Sequence, residues 1–297
     1  MGKLIDMGQF ISNYEDLKRL KKKTLRGNLR DLALTGLSWV ASEKYLEIPR
    51  VQFLYIHHVF KDEERPLDIL LKRLSKQHQF ITYDEAVNKI LTGTIDKPYI
   101  TFSSDDGLKN NLRAAEILNQ YGAKACFFIN PGIIGETNFD KINKYCTDIL
   151  DFPPVEFLDW DEVAQLQKWG HEIGSHTMMH MNIAKATPEA IARDMHETYK
   201  ILHERCGGVK HFAFPYGRFF HFSEIGRKAV FDAGFTTCAT AERGCHINGT
   251  QPISNEQLCI RRDHTVLGWD INHIMYFLVN NAKNVNANNN FYPPDFK

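Results

Sequence analysis

From about residue 50 to residue 268 the chain alternates two kinds of segment. The first kind is a short apolar run: VQFLYIHHV, YITFSS, AKACFFI, HEIGSH, HFAFPYG and GFTTCAT. These runs are too short for helices, rich in aromatic and β-branched residues, and apolar almost without interruption, which predicts strands buried on both faces. The second kind spaces its apolar residues for a helix: LDILLKRLSKQ, TYDEAVNKILTG, NNLRAAEILNQYG and TPEAIARDMHETYKILHERCG. Thr82 and Glu85 read as a capping box, and Gly122 and Gly207 as helix ends. Strands alternating with helices predict an α/β domain built on a parallel sheet with helical crossovers. INHIMYFLVNNAK is expected to be a closing helix and NVNANNNFYPPDFK a loose polar tail.

The first fifty residues depart from this pattern. Lys18, Arg19, Lys21, Lys22, Lys23, Arg26 and Arg30 are interleaved with Leu17, Leu20, Leu25 and Leu29, which predicts one or two helices with a basic face. A solvated helix packed on the main domain is the preferred reading; peripheral contact with an anionic membrane or a partner enzyme is the alternative. The following LRDLALTGLSWVASEKYLEI is apolar enough to cover part of the main domain.

Composition narrows the function classes. With 297 residues, 43% of them hydrophobic, the chain can bury one sizeable core. Lysine plus arginine (36) balances aspartate plus glutamate (36), so there is no basic field for nucleic acid, and no nucleic-acid partner is expected. The six cysteines show no Cys-x-x-Cys pair and read as reduced core residues. MGKLIDMGQFISNYEDL lacks the apolar core of a secretory signal, and no run approaches the roughly 18 apolar residues of a membrane span, so a cytoplasmic setting is expected.

Two elements carry chemistry. YITFSS runs straight into Asp105, Asp106 and Gly107, placing two adjacent carboxylates at the carboxyl end of a parallel strand, where active sites of such folds gather. Adjacent side chains there point in different directions, so one can face a metal and the other the attacking water. By itself Asp-Asp-Gly also reads as a plain turn. WGHEIGSHTMMH then sets His176 and His180 four residues apart after a strand, expected to enter a helix with both imidazoles on one face. Two histidines and one carboxylate with an open position make a hydrolytic metal site, and the joint occurrence outweighs the bland readings.

FSSDDG, GHEIGSHTMMH and FAFPYG, in that order, resemble the first three motifs of the polysaccharide deacetylase (NodB-homology) family. The likeness runs from about residue 51 to 268 and includes FLYIHHV, similar to the Tyr-His element of the family's first strand. It implies a distorted (β/α) barrel with Asp106, His176 and His180 as metal ligands and Asp105 as the base. It also implies that Pro215, Tyr216 and Gly217 line the groove, the Tyr216 N–H helping to hold the oxyanion. Residues 1–47 would then be a helical extension, 48–270 the catalytic domain and 271–297 a closing helix and tail.

The chain departs from the family at two places. The position of the arginine that many members pair with the catalytic aspartate corresponds to Ala213, and GFTTCAT leads into AERGCHING without the tryptophan of the fourth motif. Arg262 or Arg261 is expected to replace the arginine by pairing with Asp105, and both are candidate substrate contacts. His264 is the expected general acid, and His57 and His58 are candidates for lining the cleft. The expected cofactor is one divalent ion, zinc first, with cobalt and nickel as alternatives. The reading is metal-dependent N-deacetylation of an amino sugar of a surface polysaccharide or its precursor. The alternatives are hydrolysis of another amide, such as a formyl group or a small cyclic amide, and a degenerate member that only binds glycan or a glycan-assembly enzyme.

Overall fold

The computed structural model describes residues 8–20, 34, 42–294 and 296. Most of the basic cluster, from Lys21 to Arg30, and most of the apolar stretch after it lie outside the described residues, so the expected basic helix is seen only at its start, in α1 (Tyr14–Leu20).

Among the described residues nine strands form one parallel sheet: β1 (Arg50–Ile56), β2 (Gln79–Phe80), β3 (Pro98–Ser104), β4 (Ala125–Ile129), β5 (Glu172–Ser175), β6 (His211–Ala213), β7 (Thr237–Ala239), β8 (Cys259–Ile260) and β9 (Arg262–His264). Their order is β8-β7-β6-β5-β4-β3-β1-β9, with β2 beside β3. β8 and β9 are separated only by Arg261, so a single broken strand pairs with β7 through its first half and with β1 through its second. That strand nearly closes the sheet into a barrel. Helices surround it: α2 (Glu64–Leu74), α3 (Tyr83–Thr92), α4 (Asn111–Gln120), α5 (Phe139–Tyr145), α6 (Trp160–Lys168), α7 (Pro188–Cys206), α8 (Glu224–Ala233) and α9 (Ile271–Lys283).

The continuous apolarity of the strands has a direct cause. Val51 and Phe53 of β1, Tyr99 of β3 and Cys126 and Phe128 of β4 pack together inside the barrel. Their neighbours Leu54 and Ile56, Ile100 and Phe102, and Phe127 and Ile129 face the helices. Each strand thus alternates between two buried faces. The helix boundaries follow their caps. The Thr82 side chain accepts the Glu85 N–H at 3.1 Å, the first half of the expected box, and Thr187 caps α7 by accepting the Ala190 N–H at 3.3 Å.

A smaller apolar cluster lies beside the barrel mouth. It joins Ile11 and Leu17 of the amino-terminal segment to Leu108 after β3 and to Ile142, Tyr145 and Phe157 of the insertion that follows β4. The insertion is thereby part of the wall around the mouth.

The tail corrects an expectation. It is pinned: the Asn290 side-chain oxygen lies 3.0 Å from His246 Nδ1, its amide donates to the Ile247 carbonyl at 2.9 Å, and Phe291 bridges to Leu258. A buried asparagine whose amide is satisfied on both sides holds a polar segment that composition marks as loose. Asn290→Ala is expected to destabilise the protein by about 1–3 kcal/mol, read as a lower urea midpoint, because His246 and Ile247 lose their partner in a site closed to water.

Candidate active site

The in-register pairing of β1 with β3 and β9 brings Ser104, Ile56 and His264 to one rim of the barrel. β5 and β6, paired through Ser175 and Phe212, deliver His176 and the Phe214–Gly217 turn to the same carboxyl-terminal mouth. There β3 ends: the Asp105 N–H still reaches the Ile56 carbonyl at 3.2 Å, while Asp106 (φ 74°) and Gly107 (φ 72°) are left-handed. Two successive left-handed residues turn the chain sharply, so the neighbouring carboxylates diverge. A side chain at Gly107 would stand 3.0 Å from Ile134 Cδ1, so that turn needs glycine.

Asp105 faces the barrel interior and meets Arg262. The guanidinium grips it through two hydrogen bonds, Nη1 to Oδ1 at 2.7 Å and Nη2 to Oδ2 at 2.9 Å, while Nε donates to the Thr240 carbonyl at 2.8 Å. Its plane also lies near the rings of Tyr55 and Phe128, at 4.6 and 5.1 Å. Burial is the largest single influence on the Asp105 carboxyl and pushes it upward, but the Arg262 charge and hydrogen bonds, joined by His176 and His57, together bring it down to about 2. The arginine absent at Ala213 is replaced in space by Arg262, from the strand that closes the barrel. Ala213 has a different duty: its carbonyl accepts from His176 Nδ1 at 2.7 Å. That bond leaves His176 Nε2 as a lone-pair donor facing the cleft.

Asp106, His176 and His180 converge. Asp106 Oδ1 lies 3.5 Å from His176 Nε2 and 3.6 Å from His180 Nε2, and one ligand atom from each residue fits within 4.8 Å of the others. The set fits a divalent cation. Asp106 Oδ1 is buried with no hydrogen-bond donor, and burial together with the Asp105 charge pushes the Asp106 carboxyl up to about 8. Burial holds both histidines neutral, the ligating form. A cation between the three removes the penalty on Asp106.

The expected helix between the two histidines is not there. Thr177–Met179 form a tight turn, with Thr177 (φ 64°) and His180 (φ 58°) left-handed. Side chains enforce it: Asn130 Nδ2 donates to the His176 and Thr177 carbonyls, the Thr177 hydroxyl accepts the Met181 N–H at 2.8 Å, and Asp194 of α7 accepts the Met178 N–H at 3.1 Å. Burial raises the Asp194 carboxyl to about 6. Asn130 and Asp194 lie outside the motif that carries the histidines, so the sequence offered no signal for those two clamps.

The remaining candidates divide. Tyr216 and Gly217 line a cleft of about 890 Å³ together with Asp105, Asp106, His57, His58 and His264. Pro215 is buried behind them and is not among the lining residues. Tyr216 is left-handed (φ 64°), and its ring stands edge-on to His180 at 4.7 Å. His264 Nε2 lies 3.2 Å from His57 Nδ1, and the His264 ring stacks on Tyr55 at 4.8 Å. His58 Nδ1 pairs with buried Glu63 at 2.6 Å. Arg261 corrects its expected place: it points away from Asp105, donating to the Asn289 carbonyl at 3.2 Å and lying over Phe219, because alternate residues of a strand face opposite sides. Arg262 sits behind Asp105 and is not among the lining residues, so it is no substrate contact.

Two parts of the cleft wall were missed. Tyr14 and Leu17 of α1 line it, and so does Trp269, from the loop after β9. A tryptophan is thus present at the mouth although GFTTCAT lacks one; the only signal was its closeness in sequence to His264.

The polysaccharide deacetylase family model matches residues 92–238. That span holds Asp105, Asp106, both histidines and Tyr216, and leaves out α1, β1 and Arg262. A chitooligosaccharide deacetylase of Azorhizobium caulinodans is 31% identical over 123 residues, which cover 40% of this chain and 47% of that protein. The chain thus matches about half the length of this curated relative. Three solved structures share the fold. IcaB of Ammonifex degensii aligns with TM-score 0.61 at 17% identity, over 79% of this chain and 97% of that one. PplD, a deacetylase of Streptococcus pyogenes solved with acetate, aligns with TM-score 0.57 at 16% identity, over 77% and 96%. A de-N-acetylase of Aggregatibacter actinomycetemcomitans aligns with TM-score 0.57 at 15% identity, over 77% and 99%.

Two outcomes follow from the geometry. Arg262→Met leaves the Asp105 carboxylate buried without a counter-charge and is expected to cost about 3–5 kcal/mol, measured by urea denaturation at neutral pH. Asp194 gives a pH signature. Its folded pKa of about 6 lies above the unfolded value, so its contribution is fully present below about pH 4 and is lost as the pH rises through about 6. Asp194→Asn should remove a decline of roughly 3 kcal/mol across that window, seen by comparing denaturation midpoints of the two proteins at the two ends.

Proposed function

Since residues 92–238 match the polysaccharide deacetylase family model, we propose that the chain hydrolyses the N-acetyl group of an amino sugar in a surface polysaccharide or its precursor, O-antigen and capsule chains included. The observation that carries this reading is the division between two adjacent carboxylates: Asp106 faces the two histidines, and Asp105 is gripped by Arg262. Held by Asp106, His176 and His180, a divalent ion, zinc by preference, supplies Lewis-acid charge that polarises the acetyl carbonyl and acidifies the attacking water.

The protein's own groups do the rest. Asp105 accepts the proton from the water, and Arg262 keeps its carboxylate ionised and aimed. The Tyr216 N–H donates to the oxyanion of the tetrahedral intermediate. On collapse the C–N bond breaks, the electron pair goes to nitrogen, and the His264–His57 pair, having taken up a proton from solvent, hands it to the nitrogen to make the free amine. Burial holds both rings neutral at rest, so the pair takes up charge only as negative charge develops across the site. A pure binding module has no physical need for this set, which disfavours a degenerate role.

The test is acetate release from N-acetylated amino sugars together with metal content. Asp105→Asn should retain metal and lose about 10²–10⁴-fold in kcat, whereas His176→Ala should lose metal and activity together. Metal retained in all forms with no acetate from any N-acetyl sugar would move the reading to another amide on the same site.

A further inference from the structure

The strand that carries Arg262 and His264 has little backbone to hold it. β9 has three residues with three partners on β1, and Arg261, where the strand breaks, separates it from β8. Successive strand residues face opposite sides, so a slip of one residue would turn Arg262 away from Asp105 and bring Asp263 inward. Three backbone partners specify register weakly, and the side chain between Arg262 and His264 supplies what they lack.

Asp263 is fully buried and points away from the barrel interior, into the layer between the sheet and α9 that Leu54 and Leu278 help to build. Side chains from three segments meet its carboxylate. Gln52 of β1 donates from Nε2 to Oδ2 at 2.7 Å, Asn281 of α9 donates to Oδ1, and Arg243 Nη1 lies 3.4 Å from Oδ1. Arg243 Nη2 also donates to the His264 carbonyl at 2.9 Å, so one guanidinium holds both Asp263 and the peptide of its neighbour. Gln52 is fixed in turn: its Oε1 accepts from Arg50 Nε at 3.2 Å and Nη2 at 2.9 Å, which leaves its NH₂ group for Asp263. Arg50, buried as well, donates to the Leu46 carbonyl at 2.7 Å and to His78 Nε2 at 2.8 Å, and His78 Nδ1 lies 3.0 Å from the Leu74 carbonyl at the end of α2. The hydrogen bonds run unbroken from α2 across β1 to β9.

A carboxylate buried in an apolar layer is costly, and the best-attested role of such a group is to fix register. Here the device works from both faces of the strand. In register, Arg262 meets Asp105 inside and Asp263 meets Arg243 outside. Slipped by one residue, Asp263 would face Asp105 and Arg262 would face Arg243, like charges on each face in surroundings of low dielectric. An apolar side chain at 263 would fill the same space and would not discriminate between the two registers.

We propose that Asp263 is a positioning residue for the reaction: with Gln52 and Arg243 it locks the register of β9, which sets Arg262 on Asp105 and His264 beside His57. The proposal rests on the deacetylase reading and adds to it a residue that does not line the cleft.

The donor–acceptor order of the Gln52–Asp263 bond provides the test. Asp263→Asn sets an amide NH₂ against that of Gln52, and Gln52→Glu sets a carboxylate against Asp263, so each single variant loses the bond. The double variant reverses donor and acceptor, restores the bond, and keeps an oxygen towards Asn281 and Arg243. The full chain is loaded with Zn²⁺ and given the β-1,4-linked tetramer of N-acetylglucosamine; kcat per zinc-bound molecule, KM, and hydrogen–deuterium exchange over residues 259–265 are measured. Each single variant should lower kcat about 10–100-fold at unchanged KM and raise exchange over 259–265. The double variant should return kcat to within about threefold of the native value, with exchange restored. Arg243 is partly exposed, so Arg243→Met, which cuts the tie to the His264 carbonyl, serves where a single variant does not fold and should lower kcat in the same way. Thr82→Ala, which removes a helix cap beside the start of β5, should lower the urea midpoint and leave kcat unchanged. Variants that lower only the urea midpoint, with kcat per zinc-bound molecule at the native value, or a double variant no better than either single, would overturn the positioning role and leave the deacetylase reading intact. No acetate from the native protein, with exchange raised in the singles and restored in the double variant, would overturn the deacetylase reading and keep the lock; exchange unchanged in all variants would overturn the lock.

Discussion

The pairing of Arg262 with Asp105 is the interaction on which both the barrel and its site depend. Both groups are buried, and removing two charges from water costs several kcal/mol each before their attraction returns anything. The cost is met only because the geometry is bidentate and two of the three remaining guanidinium protons are used, on Thr240 and Ser103. Arg262 belongs to the strand that nearly closes the sheet, so barrel closure and neutralisation of Asp105 are one event. A barrel that failed to close would leave Asp105 buried and uncompensated.

The same cation separates two neighbours in sequence. Asp105, in contact with Arg262, is brought down to about 2, while Asp106, one residue on and turned away by its left-handed backbone, is pushed up to about 8. One buried guanidinium and one backbone turn therefore make a carboxylate that is ionised at rest beside a group that needs a second cation. That second cation is what His176 and His180, neutral and convergent, are placed to share. The left-handed conformations of Asp106, Thr177, His180 and Tyr216 all fall at this rim. Non-glycine residues adopt that conformation at a cost of about 1–3 kcal/mol, which persists only where surrounding bonds enforce it. Here Asn130, Asp194 and the Thr177 hydroxyl do so.

The sheet was legible in the sequence because a strand buried on both faces has nothing polar to break its apolar run, as AKACFFI and YITFSS show. Helix ends were legible at Thr82 and Gly207 because capping is a local, one-turn affair. The His176–His180 turn was misread as a helix because four-residue spacing serves both, and the groups that decide between them, Asn130 and Asp194, lie far away in the chain. The tail was misread because composition cannot show that Asn290 finds His246. The cleft wall made by Tyr14, whose ring lies on Gly268, joins the two ends of the chain, a distance no local pattern reports.

Arg262 shows what a motif can and cannot carry. A bidentate guanidinium is defined by where its planar fork lies relative to a carboxylate and not by which strand its Cα occupies. The family's third motif offers a methyl group at Ala213, while the last strand reaches the same carboxylate from the other side of β1. Because β9 pairs in register with β1, with Phe53 opposite Arg262, moving the arginine from one strand to another needs no change in the position of Asp105. A motif lists residues in chain order, whereas the requirement is a positive charge at a fixed point inside the barrel. Any strand whose side chain points inward at that level can meet it, and Ala213 is then left with the backbone carbonyl that orients His176.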